Sequence, residues 1–185
     1  MTMRENSLPD SDFFRNLLDA REERWHRRLA LSELGTVLTL TLNIPGPDKC
    51  LPRWLTFFAA VREDILQMLK NADFIVDSAL SEFSGIGPAG PEDHFLFRPS
   101  SLCDAQTLKR LTAAFEENYP GGRLADLDVM APGGEVVDRK SLGLSPRGCL
   151  CCPRPAKECA ARARHSLDEV LKAAQNLLNE VQNLT

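Results

Sequence analysis

Gly122-Arg123-Leu124-Ala125-Asp126-Leu127-Asp128-Val129, running on through Met130-Ala131 into Pro132-Gly133-Gly134-Glu135-Val136-Val137-Asp138, decides how this chain is read. The first eight residues follow a Gly-Gly turn and read as a β-strand, in which residues two apart share a face. Asp126 and Asp128 therefore project together, while Leu124, Leu127 and Val129 serve packing. Pro132-Gly133-Gly134 is a turn and the residues after it a returning strand, so the whole segment is predicted to be a β-hairpin. Two carboxylates on one face repel each other unless a cation lies between them. A hard ion such as Mg2+, held by one or two carboxylates plus substrate phosphates, suits that position, although an alternating Asp-x-Asp also arises on any solvated strand. Arg139, Lys140, Arg147 and Arg154 follow closely. Guanidinium groups meet phosphate oxygens bidentately, so acids and bases together fit a metal-complexed polyphosphate; the plain alternative is a loop whose charges face water.

Upstream, Thr36-Val37-Leu38-Thr39-Leu40-Thr41-Leu42 alternates strictly and is the clearest strand in the chain. It ends in Asn43-Ile44-Pro45-Gly46-Pro47-Asp48-Lys49, a rigid turn that either aims Lys49 at a ligand or leaves it in water. Residues 11–33 read as an amphipathic helix with Phe14, Leu17, Leu18, Trp25 and Leu29 at helical spacing and most of its charges, Arg21, Arg24, Arg27 and Arg28 among them, on a solvated face. Residues 53–70 read as a second helix, with Trp54, Phe57, Phe58, Val61, Ile65, Leu66 and Leu69 as core. Residues 73–78 suggest a strand. Residues 84–91 suggest a flexible connection that lacks the order of a dinucleotide fingerprint, and residues 94–97 a short strand with His94 as a structural histidine. Asp104 is placed to cap a helix reaching residue 117, and Ser166 with Glu169 forms a capping box for a last helix over residues 166–183. Helices and strands mix without βαβ alternation. The expected fold class is α+β: a single domain over residues 1–185, with a mixed or antiparallel sheet and a nucleotidyltransferase-like acid-pair hairpin packed by helices.

Composition agrees with an ordinary globular domain. The 185 residues are 43% hydrophobic and 26% charged, enough for one real core. A formal net charge of −4 argues against a dedicated nucleic-acid binder, which needs a basic surface. No run of about 18 apolar residues occurs, and Met1-Thr2-Met3-Arg4-Glu5-Asn6 carries no apolar signal core, so a cytoplasmic protein without a membrane span is expected. Of six cysteines, Cys50 and Cys103 stand alone and read as packing or inert thiols. Residues 149–165 form a cysteine-rich loop. Within it Cys149, Cys152, Cys159 and His165 give C-x2-C-x6-C-x5-H, a spacing that can wrap a tetrahedral zinc ion, or else four residues used for packing and capping. A regulatory disulfide is disfavoured in a reducing compartment.

Taken together, Arg21-Glu22-x-Arg24, Asn43-Ile44-Pro45-Gly46-Pro47-x-Lys49, Gly122-Arg123-x-x-Asp126-x-Asp128-Val129, and Arg139-x-x-Leu142-Gly143-Leu144-x-x-Arg147-x-Cys149-Leu150-x-Cys152 leading to Cys159 and His165-Ser166 resemble the apo-citrate lyase phosphoribosyl-dephospho-CoA transferase family. The resemblance covers nearly the whole chain, with the motifs in family order. It implies transfer of the phosphoribosyl-dephospho-CoA unit from 2'-(5''-triphosphoribosyl)-3'-dephospho-CoA to a serine of the apo acyl carrier subunit of citrate lyase, with release of pyrophosphate. Asp126 and Asp128 would then hold Mg2+ and, with Arg123, form the catalytic set; Lys49, Arg139, Arg147, Arg21 and Arg24 would meet the substrate. Ala161 and Ala163 depart from the pattern, which has arginines there. Two alternatives stay open. One is the sister transferase for the malonate decarboxylase carrier, which shares mainly the Gly-Arg-x-x-Asp-x-Asp step. The other is a non-catalytic, zinc-stabilised interaction module.

Overall fold

The computed structural model describes residues 11–79, 81–98 and 104–182, which leaves Cys103 and the last predicted helical residue outside the described part. The order of elements is α1 (Ser11–Ser32), β1 (Thr36–Leu42), α2 (Pro52–Asn71), β2 (Glu82–Gly87), β3 (Gly90–Phe97), α3 (Ala105–Asn118), a 3-10 turn (Gly122–Leu124), β4 (Ala125–Met130), β5 (Val136–Val137), α4 (Ala156–Ala161) and α5 (Leu167–Gln182). The strands form one sheet in the order β2-β3-β1-β4-β5, and every pairing is antiparallel. The class is α+β, as expected, with no parallel strand pair among the described residues.

The strict alternation in β1 divides the sheet into two unlike faces. Leu38, Leu40 and Leu42 point one way and meet Phe95 and Phe97 of β3 and Leu127 and Val129 of β4 in the main core. The apolar stripe of α2, from Trp54 through Leu69, closes over them with Leu108 of α3 and with Ala174 and Leu178 of α5. Burying each large side chain contributes about 1.5–3 kcal/mol, so this face supplies most of the cohesion. Three helix starts are set locally. Pro52 occupies the first turn of α2. Asp104 accepts the Thr107 N–H at 2.9 Å. Ser166 and Glu169 exchange hydrogen bonds as the predicted capping box.

The opposite face carries Val37, Leu96 and Met130, which pack on Leu29 and Leu31. Beyond that small cluster the face is polar, and α1 lies across it. Here the helix reading needs correction: Phe14, Leu18 and Trp25 are 50%, 62% and 41% exposed, while the Arg28 side chain is 9% exposed. The sheet beneath is lined with carboxylates, so α1 turns guanidinium groups toward it and leaves aromatic rings outside.

Two further segments differ from the sequence reading. Residues 73–78 are not a strand: Asp73 takes a left-handed φ of 58° and the Phe74 N–H returns to the Leu69 carbonyl at 2.9 Å, which ends α2 and drops Phe74 into the core. Residues 84–91 are not a flexible connection but the tight Gly87–Gly90 end of the β2-β3 hairpin. β3 therefore begins well before His94. Its first half, with Glu92, Asp93 and His94, hides from a hydrophobicity pattern because those polar side chains are buried in pairs. Within the cysteine-rich loop a short helix, α4, also forms.

Candidate active site

Strand register builds the site. Across the three central strands Glu92 faces Thr41 and Thr41 faces Asp126; one step along, His94 faces Thr39 and Thr39 faces Asp128. Six polar side chains thus share the α1 side of the sheet. β4 sits at this register because Glu116 of α3 accepts the Leu127 N–H at 2.8 Å and Lys109 donates to the Leu127 carbonyl at 2.5 Å.

Cations answer these acids from two directions. From α1, Arg28 donates to Asp128 at 3.1 Å, and Arg24 and Arg27 both pair with Glu92. From the cysteine-rich side, Arg147 donates to Asp126 at 2.7 Å and to the Arg123 carbonyl at 3.0 Å, with a further contact to the Ala125 carbonyl. His94 bonds Thr39 at 2.9 Å through Nδ1 and lies 3.4 Å from Glu92 through Nε2. Burial works against the Glu92 carboxylate, yet hydrogen bonds from His94 and Arg24 hold its pKa down at about 2. Asp126 moves the other way: burial, then the neighbouring Asp128 charge, pushes its carboxyl above the usual range.

Above the acid pair opens a cavity of about 360 Å³. Arg21, Arg24, Arg28, Lys49, Asp126 and Asp128 all reach it, with Trp25 and Thr41 completing the wall. Lys49 is delivered by the Asn43–Lys49 turn and donates to the Ile44 carbonyl. Burial, reinforced by Arg21 and Arg24, lowers its pKa, because the ammonium stands among like charges. Neither Lys49 nor Arg21 has a carboxylate partner among the described residues. Four cationic and two anionic side chains on one small cavity leave surplus positive charge, which attracts a polyanion.

Of the residues singled out in the sequence, the structure brings together Asp126, Asp128, Lys49, Arg21 and Arg24 in the cavity wall, with Arg147 on Asp126. It does not bring Arg139 there. Arg139 pairs with Glu116 at 2.6 Å and Glu117 at 2.5 Å, on the α3 side of β4, where it braces the glutamate that fixes the strand. Arg123 turns away to donate to the Gly148 carbonyl at 2.9 Å. Sequence reasoning missed Arg28, Thr41 and Glu92. The alternating Thr39 and Thr41 were visible in the sequence, but only pairing with β3 and β4 shows that they continue one polar face.

Cys149, Cys152, Cys159 and His165 come together with their ligand atoms all within 4.8 Å of one another, a Cys3His cluster compatible with structural zinc. Cys50 lies apart, exposed, with its thiol 3.3 Å from the Gly87 carbonyl.

Fold and site define an α+β protein with a cation-lined cavity over an acid pair, beside a Cys3His cluster. A family profile described as Apo-citrate lyase phosphoribosyl-dephospho-CoA transferase matches residues 14–181, and the chain belongs to that family. It is 34% identical over 174 residues to the "Probable apo-citrate lyase phosphoribosyl-dephospho-CoA transferase" of Streptococcus pyogenes serotype M18, covering 91% of this chain and 86% of that one. It is 30% identical over 177 residues to the apo-citrate lyase phosphoribosyl-dephospho-CoA transferase of Citrobacter koseri, covering 96% and 91%. The namesake from Escherichia coli O7:K1 is 29% identical, covering 95% and 90%. No described helix is long and apolar enough to cross a membrane.

Proposed function

We propose that this chain moves the phosphoribosyl-dephospho-CoA unit from 2'-(5''-triphosphoribosyl)-3'-dephospho-CoA onto a serine hydroxyl of the apo acyl carrier subunit of citrate lyase, as a nucleotidyltransferase. The meeting of four cations and two carboxylates in one cavity wall, in a member of this family, carries the reading. In the step, the serine oxygen bonds to the α-phosphorus, the bond from that phosphorus to the bridging oxygen breaks, pyrophosphate leaves with its electrons, and the hydroxyl proton passes to a base.

Arg21, Lys49 and Arg24 bind the triphosphate and hold it in line, which is the larger part of catalysis in phosphoryl chemistry. Arg28 joins them, since its side chain lines the same cavity while its Nη1 donates to Asp128. Asp126 and Asp128 suit Mg2+, since each keeps one oxygen free of the hydrogen bonds made by Arg147 and Arg28 and a cation relieves their mutual repulsion. When bound, Mg2+ neutralises phosphate charge as it develops. Arg147 orients Asp126, while Arg123 and Arg139 hold the flanking loop and strand.

The test is a transfer reaction with the donor, Mg2+ and apo-carrier, followed by the intact mass of the carrier. Wild type should add the phosphoribosyl-dephospho-CoA mass; Asp126→Asn and Asp128→Asn should each slow transfer by roughly a hundredfold or more. No gain on a competent carrier sinks the proposal. A faster gain on the malonate decarboxylase carrier transfers it to the sister activity.

A further inference from the structure

We propose that Cys149, Cys152, Cys159 and His165 hold one structural Zn2+ that clamps the loop carrying Arg147 against Asp126. Spacing alone left this open, because one short segment supplying all four ligands could equally have been packing. The fold answers with a preformed cage. The four ligand atoms lie within 4.8 Å of one another, and a tetrahedral zinc with Zn–S of about 2.3 Å needs them about 3.8 Å apart, so closure takes only a small contraction. Cys152 and Cys159 already stand 3.5 Å apart, sulfur to sulfur.

Three independent features point to an ion rather than to packing. His165 Nε2 is buried without any hydrogen-bond partner, a costly state for an imidazole unless its lone pair or proton is used. The Cys151 N–H lies 3.4 Å from the Cys149 sulfur, the kind of backbone donor that steadies a metal-bound thiolate. Ala163 holds a φ of 44°, a left-handed conformation unfavourable for alanine, and the Arg164 N–H closes on the Cys159 carbonyl at 3.0 Å. That reversal after α4 is what returns His165 to the three sulfurs.

The cage is wired to the acid pair. Gly148 and Pro155 form a β-bridge, the Cys149 N–H donates to the Arg154 carbonyl at 2.7 Å, and the Ala156 N–H donates to the Arg147 carbonyl at 2.8 Å. Arg123 grips the Gly148 carbonyl from the β4 side. Arg147 thus leaves the knuckle two residues before its first ligand and reaches Asp126 at 2.7 Å. Little apolar burial holds this loop, so the metal supplies the order that a core supplies elsewhere. The link to catalysis rests on the transferase reading; the zinc itself does not.

The test is the metal content of the purified full chain by mass spectrometry, then replacement of zinc by Co2+ and an absorption spectrum. One zinc per chain that survives gel filtration in EDTA, with tetrahedral cobalt–thiolate bands on substitution, is expected. Cys159→Ser and His165→Ala should lose the metal, and Cys151→Ser, outside the cage, should keep it. Stripping zinc with a strong chelator should lower the melting temperature, raise hydrogen exchange across residues 147–159, and slow transfer by roughly ten- to a hundredfold. Zinc below about a tenth of an equivalent, no cobalt bands and an unchanged melt overturn the proposal, as does a Cys152–Cys159 disulfide seen as two missing thiols. Full zinc in a chain without transferase activity would overturn the functional reading and leave the metal site standing.

Discussion

Arg28 shows how one side chain reverses its apparent role. In sequence it belongs to the charged face of a helix, yet in the structure it is the cation on Asp128, and its ring neighbour Trp25 lies 5.9 Å away. Arg28→Ala should raise the donor KM and lower kcat, together by about tenfold or more in kcat/KM. Arg28→Lys should restore little, because an ammonium cannot bridge carboxylate and phosphate as a planar fork does. Steady-state kinetics with varied donor separates the two. Glu92 offers a stability measurement. Its folded pKa of about 2 lies below the ordinary 4.5, so its ion pairs contribute full stability above that window and lose it as pH falls through it. The contribution is about 3 kcal/mol. Glu92→Gln should lower the melting temperature at neutral pH and flatten the acid limb between about pH 5 and pH 2; a parallel acid limb would contradict the assignment.

At the scale of elements, β4 matters most, because its entry geometry places both aspartates. Gly122 opens the turn before it, where an added Cβ would lie 2.7 Å from the backbone oxygen of Glu116. That glutamate also fixes the Leu127 N–H. Gly122→Ala should destabilise the fold by about 1–3 kcal/mol, as overpacking does, and lower transfer through misplaced carboxylates. Denaturant melts check the first effect and kcat the second. α1 is the unusual element. It lies on a polar sheet face through ion pairs, with only Leu29 and Leu31 in the small apolar cluster beneath it. Its hydrophobic period therefore misled, whereas α2 obeyed its own.

For the whole molecule, charge separates by region: the chain is net −4, yet its cavity wall carries four cations against two anions. Attraction between that wall and a polyphosphate is screened by salt, so donor KM should climb severalfold between low and physiological ionic strength with kcat little changed. A salt-independent KM would argue against electrostatic capture. Much of this was legible in the residues alone. The acid-pair hairpin, the β1 alternation, the caps of α3 and α5 and the C-x2-C-x6-C-x5-H spacing are local patterns, and local patterns survive into any compact fold the chain adopts. Family membership followed from the same short motifs in order. Tertiary structure alone decided that Arg139 braces α3 instead of the cavity, that Arg28 enters it, that residues 84–91 form a hairpin, and that four ligands separated in sequence meet in a cage. The physical reason is the same in each case: a charged side chain's direction depends on which oppositely charged group lies across the fold, and no spacing along the chain records that.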